Sequence, residues 1–145
     1  MTALQELEAR VKRLEDIDAI KRVKYLYCYY SDEDDIEKLM TCFASECRVE
    51  LGLGRRAANR KEVEALFRKS HTIITFANHM VHNPIIDVQG DTATGIWYVH
   101  VPNTRNGVAA WTQARYDEEY VRENGEWKIK SEVITMHFVT PFDKG

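Results

Sequence analysis

The sequence predicts an α+β fold: helices first, then a long antiparallel meander. Apolar periodicity close to 3.6 residues is confined to the first half of the chain, whereas from about Thr72 onward the chain reads almost entirely as strands. Gln89-Gly90-Asp91 and Glu123-Asn124-Gly125-Glu126 are tight hairpin turns between such strands. Helices that precede strands, instead of alternating with them, give segregated layers. A mostly antiparallel mixed sheet, strongly bent and wrapped over N-terminal helices, encloses a cone-shaped pocket suited to a small molecule.

The elements follow in order. Leu4, Leu7, Val11 and Leu14 repeat at 3-4-3 spacing and make residues 1–15 a short N-terminal helix. Two heptads are too few for an autonomous coiled coil, so this stripe needs a surface: its own domain or another subunit. Asp16 or Asp18 caps a second helix through Ile20, Val23, Tyr27 and Tyr30. Tyr25, Tyr27, Tyr29 and Tyr30 cannot share one face, so some hydroxyls must find partners in a cavity or interface. Ser31 to Asp35 ends this helix and caps the next, which buries Ile36, Leu39, Met40 and Phe43. Cys47 to Leu51 alternates as a strand, Gly52-Leu53-Gly54 opens a loop, and Lys61 to Ser70 forms a helix with Val63, Leu66 and Phe67 inward. Thr104-Arg105-Asn106-Gly107 makes a longer connection between two long strands.

Composition limits the function classes. A chain of 145 residues fits one domain over 1–145, and 44% hydrophobic with 30% charged residues is an ordinary globular balance. A net charge of −3 gives no reason to expect nucleic acid or an anionic membrane as partner. Arg55-Arg56 and Arg60-Lys61 read as solvated loop charge. No apolar run is long enough to span a bilayer and no signal pattern opens the chain. Cys28, Cys42 and Cys47 lack metal-type spacing and read as reduced, buried thiols of a cytoplasmic protein. No phosphate loop, serine-nucleophile or paired-cysteine motif is present, so no cofactor is expected.

Phe76-Ala77-Asn78-His79-Met80-Val81-His82-Asn83-Pro84 sets two histidines in an apolar, strand-like run. A buried imidazole needs a partner, and a carboxylate that fixes its tautomer makes it a general base. Asp32 is the candidate carboxylate. On a regular strand His82 points away from His79 and bonds a loop backbone, and His100 and His137 face outward by the same parity. Zinc sites need three or four convergent ligands, which His-x-x-His on a strand does not supply, so no metal is expected.

Three segments resemble the SnoaL-like branch of the NTF2-like (cystatin-like) superfamily over roughly Asp16 to Phe142. They are Ala19-Ile20-Lys21 through Tyr27 to Asp32, then His79-Met80-Val81-His82-Asn83-Pro84, and finally Tyr120 to Trp127 followed by Met136 and Thr140-Pro141. The pattern is nearest to its cofactor-independent lyases: the bile-acid 7α-dehydratases, scytalone dehydratases and hexachlorocyclohexane dehydrochlorinases. The resemblance implies an α+β cone, a His79 base oriented by Asp32, and Tyr27 donating to a departing or carbonyl oxygen. It also implies a homo-oligomer, trimer or dimer. Where bile-acid dehydratases carry an Asp, an Arg and a Tyr, this chain has Val101, Met136 and Leu51, which leaves a more hydrophobic cavity.

With strand phase taken from the resemblance, Trp97, Val99 and Val101 share one inward face, Thr112, Ala114 and Tyr116 a second, and Glu132, Ile134 and Met136 a third. Trp97, Val99, Val101, Tyr116, Glu132, Met136 and Leu51 are thus the substrate-binding candidates. Glu132 is a second acid/base group or a cation's partner if inward, and surface charge if a bulge shifts the register. The expected function is a dehydratase-type lyase acting on a small hydrophobic aromatic or polycyclic alcohol. An isomerase or cyclase using the same base, or a non-catalytic hydrophobic-ligand pocket, is the alternative.

Overall fold

The computed structural model describes residues 1–142; residues 143–145, the end of the expected domain, lie outside the described residues. Thr2 opens α1 (Ala3–Asp32) with a capping box, its hydroxyl accepting from the Gln5 N–H while the Gln5 side chain accepts from the Thr2 N–H. One helix thus replaces the two expected. No Gly or Pro interrupts the run, and Asp16 is no cap, because its carboxylate is buried against the sheet. The stripe Leu4, Leu7, Val11 and Leu14 stays exposed, which overturns packing on its own domain.

Asp34, with φ of 56°, turns the chain, and the Asp35 side chain caps α2 (Ile36–Thr41) by accepting from the Lys38 N–H at 3.0 Å. Phe43 is buried as expected, but as the first residue of β1 (Phe43–Glu50) and not on the helix. Gly52, with φ of 75°, starts the loop to β2 (Arg56–Ala57); a Cβ there would stand 3.1 Å from the Met136 side chain, so glycine is needed for both reasons. Asn59 caps α3 (Arg60–Ile73), which buries Val63, Phe67 and Ser70 and half-buries Leu66. Arg60 is not solvated loop charge. Its guanidinium donates to the carbonyls of Met40, Phe43 and Ala44 and ties α3 to the end of α2.

The remaining chain forms β3 (Ile74–Ala77), β4 (Met80–Gln89), β5 (Thr92–Arg105), β6 (Val108–Glu123) and β7 (Glu126–Pro141). The sheet runs β2-β1-β7-β6-β5-β3, with β4 also on β5; β1 lies parallel to β7 and every other pair is antiparallel. Asn106-Gly107, with φ of 50° and 77°, is a two-residue turn, tighter than the connection expected from Thr104 to Gly107. Register shifts between Gln113 and Ala114, between Glu119 and Tyr120, and between His82 and Ile85 bend the long strands. The concave face closes on α1 and α3 around Ile20, Leu39, Phe43, Val49, Val63, Phe67, Trp97 and Ile129. The fold is the α+β cone expected. Among the described residues no helix is long and apolar enough to cross a membrane.

Asp16 secures α1 to the far end of the sheet. Its carboxylate accepts from Arg122 at 2.8 Å and from the Trp127 indole N–H at 3.0 Å, while Arg122 also donates to Asp91 and lies 4.5 Å from the Trp127 ring centroid. Burial pushes the Asp16 carboxyl up, but the bonds from Trp127 and Arg122 prevail and hold it below the usual range. Asp16→Ala should therefore lower unfolding stability by about 2–3 kcal/mol, as two charge-assisted bonds are lost and Trp127 keeps a buried orphan donor. Urea unfolding checks this: the midpoint falls, and the slope stays unchanged.

Candidate active site

His79 does not sit within a strand. It lies with Asn78 in a break between β3 and β4, which pair with different stretches of β5. The break frees the His79 main-chain N–H from the ladder, and Asp32, at the last position of α1, fills the vacancy. One carboxylate accepts the His79 N–H at 3.1 and 3.0 Å, His79 Nδ1 at 2.5 Å and the Asn78 amide at 3.3 Å. A proton on Nδ1 directed at Asp32 leaves the Nε2 lone pair free, the tautomer a general base needs.

The dyad borders a cavity of about 150 Å³. Leu51, Phe67, Val99, Val101, Ala114, Ile134 and Met136 supply its apolar wall, and Tyr27, Tyr116, Thr112 and Asn103 add polar atoms. An apolar cavity of that order admits a benzene-sized ring. The Tyr27 ring meets His79 edge-on at 6.4 Å between centroids. Asn103 is 3% exposed; its amide N–H groups donate to the Val101 carbonyl and the Thr112 hydroxyl at 2.9 Å each, and Oδ1 has no partner among the described residues. That buried acceptor suits a ligand hydroxyl.

A charged network lies under Tyr27. Lys24, fully buried, donates to Glu118 at 2.5 Å and to Glu132 at 3.1 Å, and its ammonium sits 3.4 Å from the Tyr116 ring centroid and 4.0 Å from that of Tyr27. Tyr27 donates to Glu132 at 2.9 Å, and Tyr120 bonds Glu118 while accepting from Trp97 at 3.0 Å. Burial alone would strip the proton from Lys24, but Glu118 and Glu132 outweigh it and keep the ammonium charged. Burial, with the Glu118 charge, pushes Glu132 up to about 8 against the pull of Lys24. Burial followed by the Glu132 charge keeps the Tyr27 phenol protonated, and therefore a donor.

Of the residues singled out in the sequence, Tyr27, Asp32, His79, Leu51, Val99, Val101, Tyr116 and Met136 meet around this cavity. Trp97 and Glu132 do not line it. Trp97 is drawn beneath the floor by its bond to Tyr120, and Glu132 faces inward but is committed to Lys24, reaching the cavity only through Tyr27. Lys24 and Glu118 are not singled out by motif, and the sequence signal for them is phase: Lys24 falls on the Ile20–Tyr27 face, and Glu118 alternates in phase with Tyr116 and Tyr120. Asn103 and Arg105 likewise continue the inward phase of Val99 and Val101.

The other histidines are elsewhere engaged. His71 pairs with Asp34 at the cavity rim, His100 stacks on Trp111 at 4.4 Å, and His82 and His137 flank Tyr98 on the outer face. His82 thus packs on a ring and, among the described residues, makes no bond to a loop backbone. Among the described residues no three His, Cys, Asp or Glu side chains converge on a point where a metal ion could sit. Cys28, Cys42 and Cys47 are buried thiols; burial pushes Cys28 up to about 12 and Cys42 up to about 11.

Comparison with known proteins places the family and the fold. The sequence model of the SnoaL-like domain family matches residues 12–132. A candidate scytalone dehydratase of Novosphingobium aromaticivorans superposes with a TM-score of 0.82 at 22% identity, covering 90% of this chain and 89% of that one. A type 2 hexachlorocyclohexane dehydrochlorinase gives 0.86 at 18% identity over 94% and 95%. The type 3 enzyme of Novosphingobium barchaimii gives 0.83 at 17% over 94% and 96%. At these identities the likeness is one of fold. No curated protein matches the sequence.

The buried network makes two expectations. Lys24→Met leaves two carboxyl groups sealed together without a cation and should cost about 3–5 kcal/mol in denaturant unfolding. Glu132 also makes stability pH-dependent. Its proton is held to about pH 8 in the folded chain but leaves near 4.5 when unfolded. Between those values the folded state binds the extra proton, so this contribution is full below the lower value, declines as pH rises and is gone above the upper one. Thermal melts across that window should show a decline in wild type that Glu132→Gln flattens.

Proposed function

Because the chain belongs to the SnoaL-like domain family, we propose that it is a cofactor-independent lyase that dehydrates a small hydrophobic aromatic or polycyclic alcohol. The observation that carries the reading is the Asp32 carboxylate on His79 Nδ1 at 2.5 Å, beside an apolar cavity. A pocket that only bound ligand would have no use for an oriented base.

In the proposed reaction His79 Nε2 takes a proton from carbon, the C–H electrons form the double bond, and the carbon–oxygen bond breaks on the adjacent carbon. The leaving hydroxyl takes the Tyr27 proton and departs as water. The imidazolium and phenolate so formed neutralise one another by proton return, so the protein ends unchanged. Asp32 stabilises the imidazolium and keeps Nε2 directed at the substrate. The Tyr27 hydroxyl, which donates to Glu132 at rest, turns its proton to the leaving oxygen. The apolar wall excludes water, which strengthens each of these interactions. The dehydratases and dehydrochlorinases among the structural neighbours support elimination over isomerisation or cyclisation, which the same base could also start.

Turnover of a panel of aromatic and polycyclic β-hydroxy ketones, followed by loss of water in the product mass, tests the reading. Asp32→Asn should lower kcat by about 10²-fold or more while leaving ligand affinity within a few-fold. Turnover that survives the substitution would sink the dyad mechanism, and a product of unchanged mass would identify an isomerase or cyclase.

A further inference from the structure

The cavity rim carries two arginines that the reaction above does not use. Arg55 and Arg105 both line it, Arg55 from the loop after β1 and Arg105 from the last position of β5. Neither is solvated loop charge: both are half-buried, and the Nε of each is buried without a hydrogen-bond partner among the described residues. Arg55 donates one bond, from Nη2 to the Leu51 carbonyl at 3.0 Å, and neither guanidinium has a carboxylate partner among the described residues.

The nearby acids are already engaged. Asp32 is held by His79, and Asp34 is paired with His71. Burial, then the charge of Arg105, lowers the proton affinity of Arg55, so the two cations are close enough to repel. Two partly desolvated forks with idle Nε donors cost free energy unless an anion bridges them. Arginine forks match the paired oxygens of carboxylate and phosphate.

We propose that Arg55 and Arg105 form an oxyanion subsite at the mouth of the cavity, so that the ligand joins an apolar body to a carboxylate- or phosphate-type group. The inference rests on the cavity being a ligand site, as proposed above, but not on the elimination chemistry. The substrate class becomes an amphiphilic acid: its ring system lies on the apolar wall near His79 and its anion is held at the rim.

Calorimetric titration of the full chain with 2-naphthol, 2-naphthoate and 2-naphthyl phosphate near neutral pH tests this with three probes of one shape. At least one anion should bind about ten-fold tighter than the neutral naphthol, and which anion does so identifies the oxyanion. In Arg55→Gln/Arg105→Gln that preference should vanish while naphthol affinity stays within about two-fold. A measurement on wild type alone guards against a variant that fails to fold: raising salt from about 0.05 to about 0.5 M should weaken the anions and not naphthol. Equal affinity for naphthol and the anions, or a preference that survives both substitutions, would overturn the subsite. Failure of all three probes to bind would overturn it together with the ligand cavity. Anion preference kept in a chain whose turnover ignores Asp32→Asn would support the subsite while removing the lyase reading.

Discussion

Lys24 has no contact with solvent, and an ammonium in that position must be met by carboxylates within hydrogen-bond reach. Glu118 comes from β6 and Glu132 from β7, so this requirement fixes the height and rotation of α1 against the two longest strands. Tyr27, one turn further along α1, is fixed by the same Glu132, and Asp32 follows where the helix ends. The position of the proposed acid–base pair is therefore set by a charge balance some distance below it. At the other end of the helix, the Asp16 bonds to Arg122 and Trp127 prevent α1 from pivoting about Lys24.

The cavity above that network is chemically layered. Its floor is polar but internally satisfied, its wall is aliphatic and aromatic, and its rim carries both the His71–Asp34 pair and the two arginines. A ligand entering such a space meets charge first, apolar surface next and the base beside that surface. Asn103, whose Oδ1 has no partner among the described residues, lies two residues before Arg105 on β5. The end of β5 thus carries an open acceptor and a cation side by side at the cavity.

Much of this was legible in the chain, for identifiable reasons. Asn124-Gly125 and the alternation from Trp97 to Val101 are local signals, and local signals specify turns and strand faces. The pairing of Asp32 with His79 was legible because a family pattern spans the 47 positions that separate them. The break at Asn78 and His79 was not, since Phe76 to Val81 reads as continuous strand and only the shift from one stretch of β5 to another reveals the gap. Lys24 was hidden for a different reason: a lysine is ordinarily surface charge, and its partners are more than ninety residues away. Arg55 resembled solvent-exposed loop charge because a guanidinium's surroundings are not written in its immediate neighbours.

The seam between β3 and β4 separates two properties that usually travel together. Asp32 is held by a main-chain amide as well as by the imidazole, and the amide belongs to residue 79 whatever side chain that residue carries. The acid's station is therefore a property of the backbone, and the base is a replaceable attachment to it. A descendant of this chain could change the group at position 79, and so the chemistry offered to the cavity, while keeping both the end of its long helix and the edge of its sheet in register.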